Sequence, residues 1–408
     1  MAFRKKVFAC AGATSLFYGP GRKEFDPSKP MPTFESYLKE TAGKTLALLH
    51  ASPIDEGIIS SFMSQRFLHQ GNLPGFLPFM VPSLKGKPCT AVEGACGSGG
   101  RAIAAAVRSV LSDLSDTVFV AGFEVQNGVK ALYGADILAG AGYYSGERKK
   151  GHAFFFPGVF AERAAAYFKK YGEEKTRKAL AKWYESAITN ARLYPLAQEY
   201  HNKVQDLYAL GLTSPQPERF LPCLNPYDCS KVTDGAASIM IASEEGLKKL
   251  GVDRKDAIEI IALGEAEGDI TEKPRDLTEL TQTKTAAREA LQHSGLTLSD
   301  LALLEIHDCF TISGLLAIEA IGLASPGTAP EWVLQGSGLR HGILPVNLSG
   351  GLIGFGHPTG GSGVRMLVDL WLTLTKKAPE PPQLKSPYGM MISMGGNDVT
   401  VTAVIASA

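Results

Sequence analysis

At 408 residues the chain exceeds what one hydrophobic core usually covers, so two similar domains, or two with an inserted piece, are expected. Lysine plus arginine and aspartate plus glutamate balance at 41 each, which gives no support to a nucleic-acid or anionic-membrane partner, and no apolar run approaches the length of a membrane span. Six cysteines (Cys10, Cys89, Cys96, Cys223, Cys229 and Cys309) without a Cys-x-x-Cys pair read as thiols of a reducing, intracellular compartment rather than as a disulfide framework.

The chain alternates strand-like and helix-like stretches, the pattern of an α/β protein. Arg4-Lys-Lys-Val-Phe-Ala-Cys opens like the basic start of a signal or transit peptide, but its apolar part is short and predicts a first strand. Phe34 to Leu49 is apolar at helical spacing, Ile58 to Phe67 is a short apolar element, and Val81 to Glu93 is an extended segment ending in a strand. Next comes Val92-Glu-Gly-Ala-Cys96-Gly-Ser-Gly-Gly100, followed by the Ala-rich run Arg101 to Leu111, a strong helix by propensity. Cys96 therefore sits where a strand turns into a helix, beside unpaired backbone N–H groups and the positive end of the helix dipole, which favour thiolate over thiol. A cysteine in such a turn serves equally well as an exposed nucleophile or as a packing residue.

Thr117 to Phe123 is a buried strand by its uninterrupted apolar run. From Glu124 to about Asp228 the texture changes: Gly and aromatic residues dominate Tyr133 to Pro157, two amphipathic helices are predicted over Phe160 to Tyr171 and Glu173 to Leu193, and prolines break the rest into loops. Such a segment between strand-rich regions reads as an inserted loop domain that shapes a pocket. The domain boundaries expected are 1–123 with 229–255, 124–228 as the insertion, and 256–408.

Strand returns at Val232-Thr-Asp-Gly-Ala-Ala-Ser-Ile-Met-Ile-Ala-Ser, echoed by Gly395-Gly-Asn-Asp-Val-Thr-Val-Thr-Ala-Val-Ile-Ala-Ser at the end. Gly356-His-Pro-Thr-Gly-Gly-Ser-Gly363 opens an apolar helix just as the Cys96 turn does. Two echoes in the same order indicate a duplicated half, each half a sheet, with the two helices sandwiched between. The second half also supplies reactive side chains. Strand Leu301 to Ile306 delivers His307-Asp-Cys309-Phe to a helix beginning at Thr311, and alternate residues share a side, so His307 and Cys309 face one cleft. His357 lies in the Gly-rich turn, and two histidines and two cysteines at like turns are hard to explain as packing.

These motifs, together with Val232-Thr-Asp-Gly-Ala-Ala and Asn190-Ala-Arg-Leu-Tyr-Pro-Leu-Ala-Gln, resemble a thiolase of the sterol-carrier-protein type over nearly the whole chain. His307-Asp-Cys-Phe separates this branch from thiolases with Asn-Glu-Ala-Phe there and a late Cys-x-Gly, a place held here by Ser393-Met-Gly395. The resemblance implies a thiolase fold of two βαβαβαββ halves in five layers, αβαβα. It implies thiolytic cleavage of a 3-ketoacyl-CoA to acyl-CoA and acetyl-CoA, or the reverse Claisen condensation, in lipid metabolism. Cys96 would carry the acyl group, His357 take its proton, Cys309 move the proton at the α-carbon, and His307 donate to the enolate oxygen. Backbone N–H groups of Cys96 and Gly395 would form an oxyanion hole. Coenzyme A, acyl-CoA and acetyl-CoA would be substrates, with no permanently bound cofactor and no metal, in a homodimer.

Met394-Gly-Gly-Asn397 departs from the family's usual glycine run and bears on that oxyanion pocket. Arg148, Lys149, Lys150 and Arg163 are candidates for the nucleotide phosphates of coenzyme A, although a run of surface charge is usually only a solvated face. Two other readings remain: a ketoacyl-synthase-like condensing enzyme, which needs no second thiol, and a non-catalytic acyl-CoA or lipid-binding scaffold. The C-terminal Ile405-Ala-Ser-Ala408 is not a Ser-Lys-Leu-type address, so mitochondrion or cytosol is expected before peroxisome.

Overall fold

The computed structural model describes residues 3–51, 53–218 and 221–408. Among the described residues nine strands form one sheet. They are β1 (Val7–Thr14), β2 (Glu56–Ser60), β3 (Cys89–Val92), β4 (Thr117–Glu124), β5 (Gly235–Ser243), β6 (Ala257–Glu267), β7 (Leu301–Ile306), β8 (Tyr388–Gly395) and β9 (Thr400–Ser407), in the order β3-β2-β4-β5-β1-β6-β9-β8-β7. Every residue of β1, β4, β5 and β7 is buried, which is why these strands read as continuous apolar runs without alternation.

The duplication is visible in the topology. Numbering strands within each half, the first half runs 3-2-4-5-1, with β2 parallel to β3 and β4 and with β5 antiparallel to β4 and β1. The second half repeats the order and the directions through β7, β8, β9 and β6. Its third strand is reduced to a parallel bridge between Leu304 and Val346. There the Asn347 side chain takes over the strand's hydrogen bonds, accepting from Ile306 N–H at 2.8 Å and donating to Ile306 C=O at 3.1 Å.

The halves were expected as separate sheets, and they are joined edge to edge instead. β6 pairs with β1 from Ala257 to Ile260, shifts register between Ile260 and Ala262, and then pairs with β9. A bulge of this kind bends a strand and raises its twist, so one long strand serves both halves. Helices lie in layers about this sheet. Phe34–Leu46 packs on β1 and β5, Ser98–Leu111 and Ser362–Leu374 pack on each other and on strands of both halves, and Thr281–Ser294 covers β6 and β9. The order is helix, strands of the first half, central helices, strands of the second half, helix.

Between β4 and β5 the described residues carry helices and no named strand. Of the long pair, Phe155–Tyr171 begins five residues earlier than expected, because Pro157 falls in the first turn, where a missing N–H costs nothing, and Glu173–Ala191 begins where expected.

The two central helices cross at glycines. A Cβ on Gly99 would stand 2.6 Å from Val364 N and 2.8 Å from Gly363 Cα, and one on Gly363 would stand 2.4 Å from Gly100 N. The obstacle is backbone on both sides, which cannot rotate away. Gly99→Ala or Gly363→Ala should therefore cost at least the ~1–3 kcal/mol of ordinary overpacking, read as a lowered thermal midpoint, whereas Gly43→Ala, with open space around it, should not.

Candidate active site

The turns that carry chemistry leave the carboxyl ends of parallel strands, the place where α/β sheets bind ligands. After β3 a tight 3-10 turn, Ala95–Gly97, leads into the helix Ser98–Leu111. Ala95 is left-handed at φ 54°, a conformation costing roughly 1–2 kcal/mol for a residue with a Cβ. Local bonds compensate: Ala95 N–H donates to Glu93 at 2.6 Å, and Ser98 Oγ accepts from Gly94 N–H at 3.0 Å while donating to Ala95 C=O at 2.6 Å. This sharp turn presents Cys96 to a cavity of about 300 Å³.

His307 and Cys309 follow β7 and line the same cavity, while Asp308 between them points the other way. Asp308 accepts from Trp183 Nε1–H at 3.0 Å and Leu352 N–H at 2.6 Å, which anchors the alternation. His307 Nδ1 accepts from Met394 N–H at 3.3 Å, so the ring's proton resides on Nε2. His357 has the opposite tautomer. Its Nδ1 lies 2.7 Å from Ser362 Oγ, whose own hydrogen is directed to Pro358 C=O at 2.9 Å, so Nδ1 donates and Nε2 keeps a free lone pair. The two rings meet edge to face with centroids 5.1 Å apart. Cys96, His307, Cys309 and His357 are thus gathered at one cavity.

The cavity also collects an aromatic wall from Phe154, Phe155, Phe156 and Phe160 in the 124–228 segment, with Phe310 stacked on Phe160 at 4.5 Å. This largely apolar surround governs the charges. Burial pushes the Cys96 thiol up from 9.0 to about 12, helped by Glu124 and Glu93 and opposed by the N–H groups of Gly396 and of Cys96 itself. The thiolate expected from the helix end is therefore not the resting form. Cys309 is likewise pushed well above its ordinary value by burial, then by Cys96, rather than tuned near neutrality. His307 is pushed down to about 3 by burial and then by Arg365, and His357 falls well below 6.5 by burial, then by His307 and Arg365. Two neutral thiols and two neutral imidazoles make up the resting site.

The Gly396 N–H reaches the Cys96 sulfur, one residue beyond the Gly395 expected at the oxyanion pocket. Gly395 is the last residue of β8, its Cβ position is closed by Gly94 C=O, and Gly396 after it is left-handed at φ 66°. Arg163 is unsuited to nucleotide phosphates. It is 1% exposed, with its guanidinium bonded to Leu277 C=O, Glu279 C=O and Asn397. Arg148 and Lys150 are held by Asp136 and by Glu147 and Glu162, and of the four only Lys149 is exposed without a carboxylate partner. Among the described residues no group of three or more His, Cys, Asp or Glu side chains is placed to hold a metal.

A family model described as "Thiolase C-terminal domain-like" matches residues 265–408. Over 322 residues, 78% of this chain and 80% of the relative, the sequence is 31% identical to an acetyl-CoA acetyltransferase of Methanothermobacter thermautotrophicus. This chain belongs to the thiolase family. Human sterol carrier protein 2 is 30% identical over 257 residues, covering 60% of this chain and 44% of that protein. The crystal structure of human mitochondrial 3-ketoacyl-CoA thiolase in complex with CoA shares the fold, with a TM-score of 0.73 over 100% of this chain and 99% of that one at 20% identity. This thiolase is an acyltransferase. No helix among its described residues is long and apolar enough to cross a membrane.

Sequence reasoning missed the residue that ties this thiolase's two halves together at the site. Glu124, fully buried at the end of β4, accepts from Ser61 Oγ at 2.9 Å, Phe62 N–H at 2.7 Å and Met63 N–H at 3.3 Å in the first half. From the His357 loop it accepts from Thr359 Oγ at 3.0 Å and Gly360 N–H at 3.1 Å. The signal was present as the lone acid ending a buried apolar run. Glu124→Leu should leave several donors unpaired at ~1–3 kcal/mol each, release the His357 loop and lower both thermal midpoint and turnover. A raised thiol pKa also sets the pH dependence of alkylation. Thiolate grows tenfold per unit below the pKa, so Cys96 alkylation by iodoacetamide should climb from pH 7 to pH 10 without levelling; a plateau below pH 8 would contradict a neutral thiol.

Proposed function

We propose that this thiolase cleaves a 3-ketoacyl-CoA with coenzyme A to acyl-CoA and acetyl-CoA, and runs the reverse condensation, through an acyl group on Cys96. The observation that carries the reading is the opposed tautomers at one cavity: an imidazole with a free Nε2 for a proton, and another with an Nε2–H to give. His357 takes the Cys96 proton as sulfur attacks the 3-keto carbon, so charge forms only as the carbon–sulfur bond does. The N–H of Cys96, with the Gly395–Gly396 turn, holds the resulting oxyanion.

The carbon–carbon bond then breaks, leaving the acyl group on Cys96 and the enolate of acetyl-CoA. His307 Nε2–H donates to the enolate oxygen, and the Cys309 thiol protonates the α-carbon. Cys309 recovers its proton from the incoming coenzyme A thiol, whose sulfur attacks acyl-Cys96. The Cys96 sulfur leaves and regains its proton from His357. The Cys96 proton returns to its source, the coenzyme A proton replaces the one Cys309 gave to acetyl-CoA, and no oxidant, metal or added base is required.

Residues 124–228 act in this reading as a loop domain that shapes the pocket, supported by the phenylalanines they contribute to it. The sites of 1–123 with 229–255 and of 256–408 close on each other beneath it. A homodimer accords with β3, an edge strand with Thr90 and Ala91 exposed. A reducing compartment accords with six unpaired cysteines. The thiol of Cys309 in the cavity weighs against a ketoacyl synthase, which has no use for it.

The test is thiolysis of acetoacetyl-CoA. Cys96→Ala should abolish turnover and the acetyl adduct that mass spectrometry detects on the wild type. Cys309→Ala should lower kcat by ~10²–10⁴ yet still exchange acetyl between acetyl-CoA and Cys96, since that half-reaction moves no α-proton. Wild-type kcat in Cys309→Ala would favour the synthase, and an inert wild type the scaffold.

A further inference from the structure

The β8–β9 connection, Gly396 to Val399, is the segment whose sequence departs from the family's glycine run, and the structure gives its residues partners. On the side facing Cys96 it offers the Gly396 N–H. On the far side Asn397 Oδ1 accepts from Arg163 Nε at 2.6 Å, and Asn397 C=O accepts from a second guanidinium nitrogen at 3.4 Å. Asp398, left-handed at φ 66°, caps the helix Thr281–Ser294 by accepting from Gln282 N–H, Thr283 N–H and Thr283 Oγ at 2.7–2.9 Å.

Arg163 is a costly choice for mere packing. It lies in the helix Phe155–Tyr171, 1% exposed, with no carboxylate in salt-bridge contact, and its donors go to the turn and to the carbonyls of Leu277 and Glu279 at 2.9 and 2.8 Å. Burial lowers its pKa to about 10, with Asp398 and Asp276 opposing at longer range. Phe160, one turn earlier on the same helix, stacks on Phe310 beside Cys309. One helix thus touches the cavity wall and the turn.

We propose that Arg163 and Asn397 are positioning residues that hold the Gly395–Gly396 turn, and so its backbone N–H groups, against Cys96. The proposal rests on the thiolase reading above. Asn397 is the place to test it, because it is only half-buried and Arg163 is its side chain's partner. In Asn397→Ala, kcat for acetoacetyl-CoA thiolysis should fall ~10- to 100-fold, short of the full loss of an oxyanion donor, with KM within about twofold; the thermal midpoint should fall as well, because the buried Arg163 guanidinium loses an acceptor. The pH curve for Cys96 alkylation by iodoacetamide should move to higher pH, with Glu93, Glu124, His357 and Cys309 still in place around the sulfur. Asn397→Asp, which restores an acceptor to Arg163, should recover kcat to within about threefold of the wild type.

A kcat and an alkylation curve both unchanged in Asn397→Ala would overturn the proposal. So would a fall in thermal midpoint with the curve unmoved, the mark of a structural tie alone. An inert wild type would sink the thiolase reading, yet the alkylation curves would still report on the turn, so the two failures are distinguishable.

Discussion

Glycine against glycine at the centre of the molecule is the contact on which the rest depends. Gly99 and Gly100 at the start of one central helix lie against Gly363 at the start of the other, close enough that no side chain fits between. Helices this near bring their preceding loops together as well. One loop carries Cys96 and the other His357, so a nucleophile and a base more than 250 residues apart in sequence meet because two duplicated helices lack side chains where they cross. Glu124 then spans the same junction from the strand side, with donors from both halves.

The second constraint is desolvation by burial. A helix end is worth about 0.3–1 kcal/mol to a nearby charge, less than one pKa unit at 1.36 kcal/mol each. The Cys96 thiol moves the other way, from 9.0 to about 12, so burial and two carboxylates outweigh the dipole. The consequence is a site that rests neutral and separates charge only during bond making. Its histidines differ not by pKa, since both are depressed, but by which ring nitrogen is occupied: Met394 N–H claims one Nδ1 as an acceptor, and Ser362 Oγ claims the other as a donor.

Much of this was legible before any coordinates. The glycine-rich turns, the His-x-Cys alternation after an apolar strand and the repeated order of motifs located the four reactive side chains and the duplication. Strand β6 and the helix Thr281–Ser294 were not singled out, because Ala257 to Glu267 alternates weakly and carries three glutamates, and the helix has few large apolar residues to mark a face. The start of Phe155–Tyr171 was hidden in the Gly- and aromatic-rich stretch that runs to Pro157, a residue that falls in the helix's first turn. Arg163 looked like a surface cation because its partners are carbonyls from residues 277 and 279 and an amide from residue 397, none of them near in sequence.

What the chain by itself determined is local: which segments are strands or helices, where glycine permits a turn, and which nucleophiles and bases stand at strand ends. Those properties follow from periodicity and from the chemistry of single side chains. Only the tertiary structure decided which N–H faces the sulfur, which tautomer each imidazole holds, and that the thiols rest protonated. Each of these depends on desolvation and on partners brought in from other elements, and neither is written in the neighbouring residues.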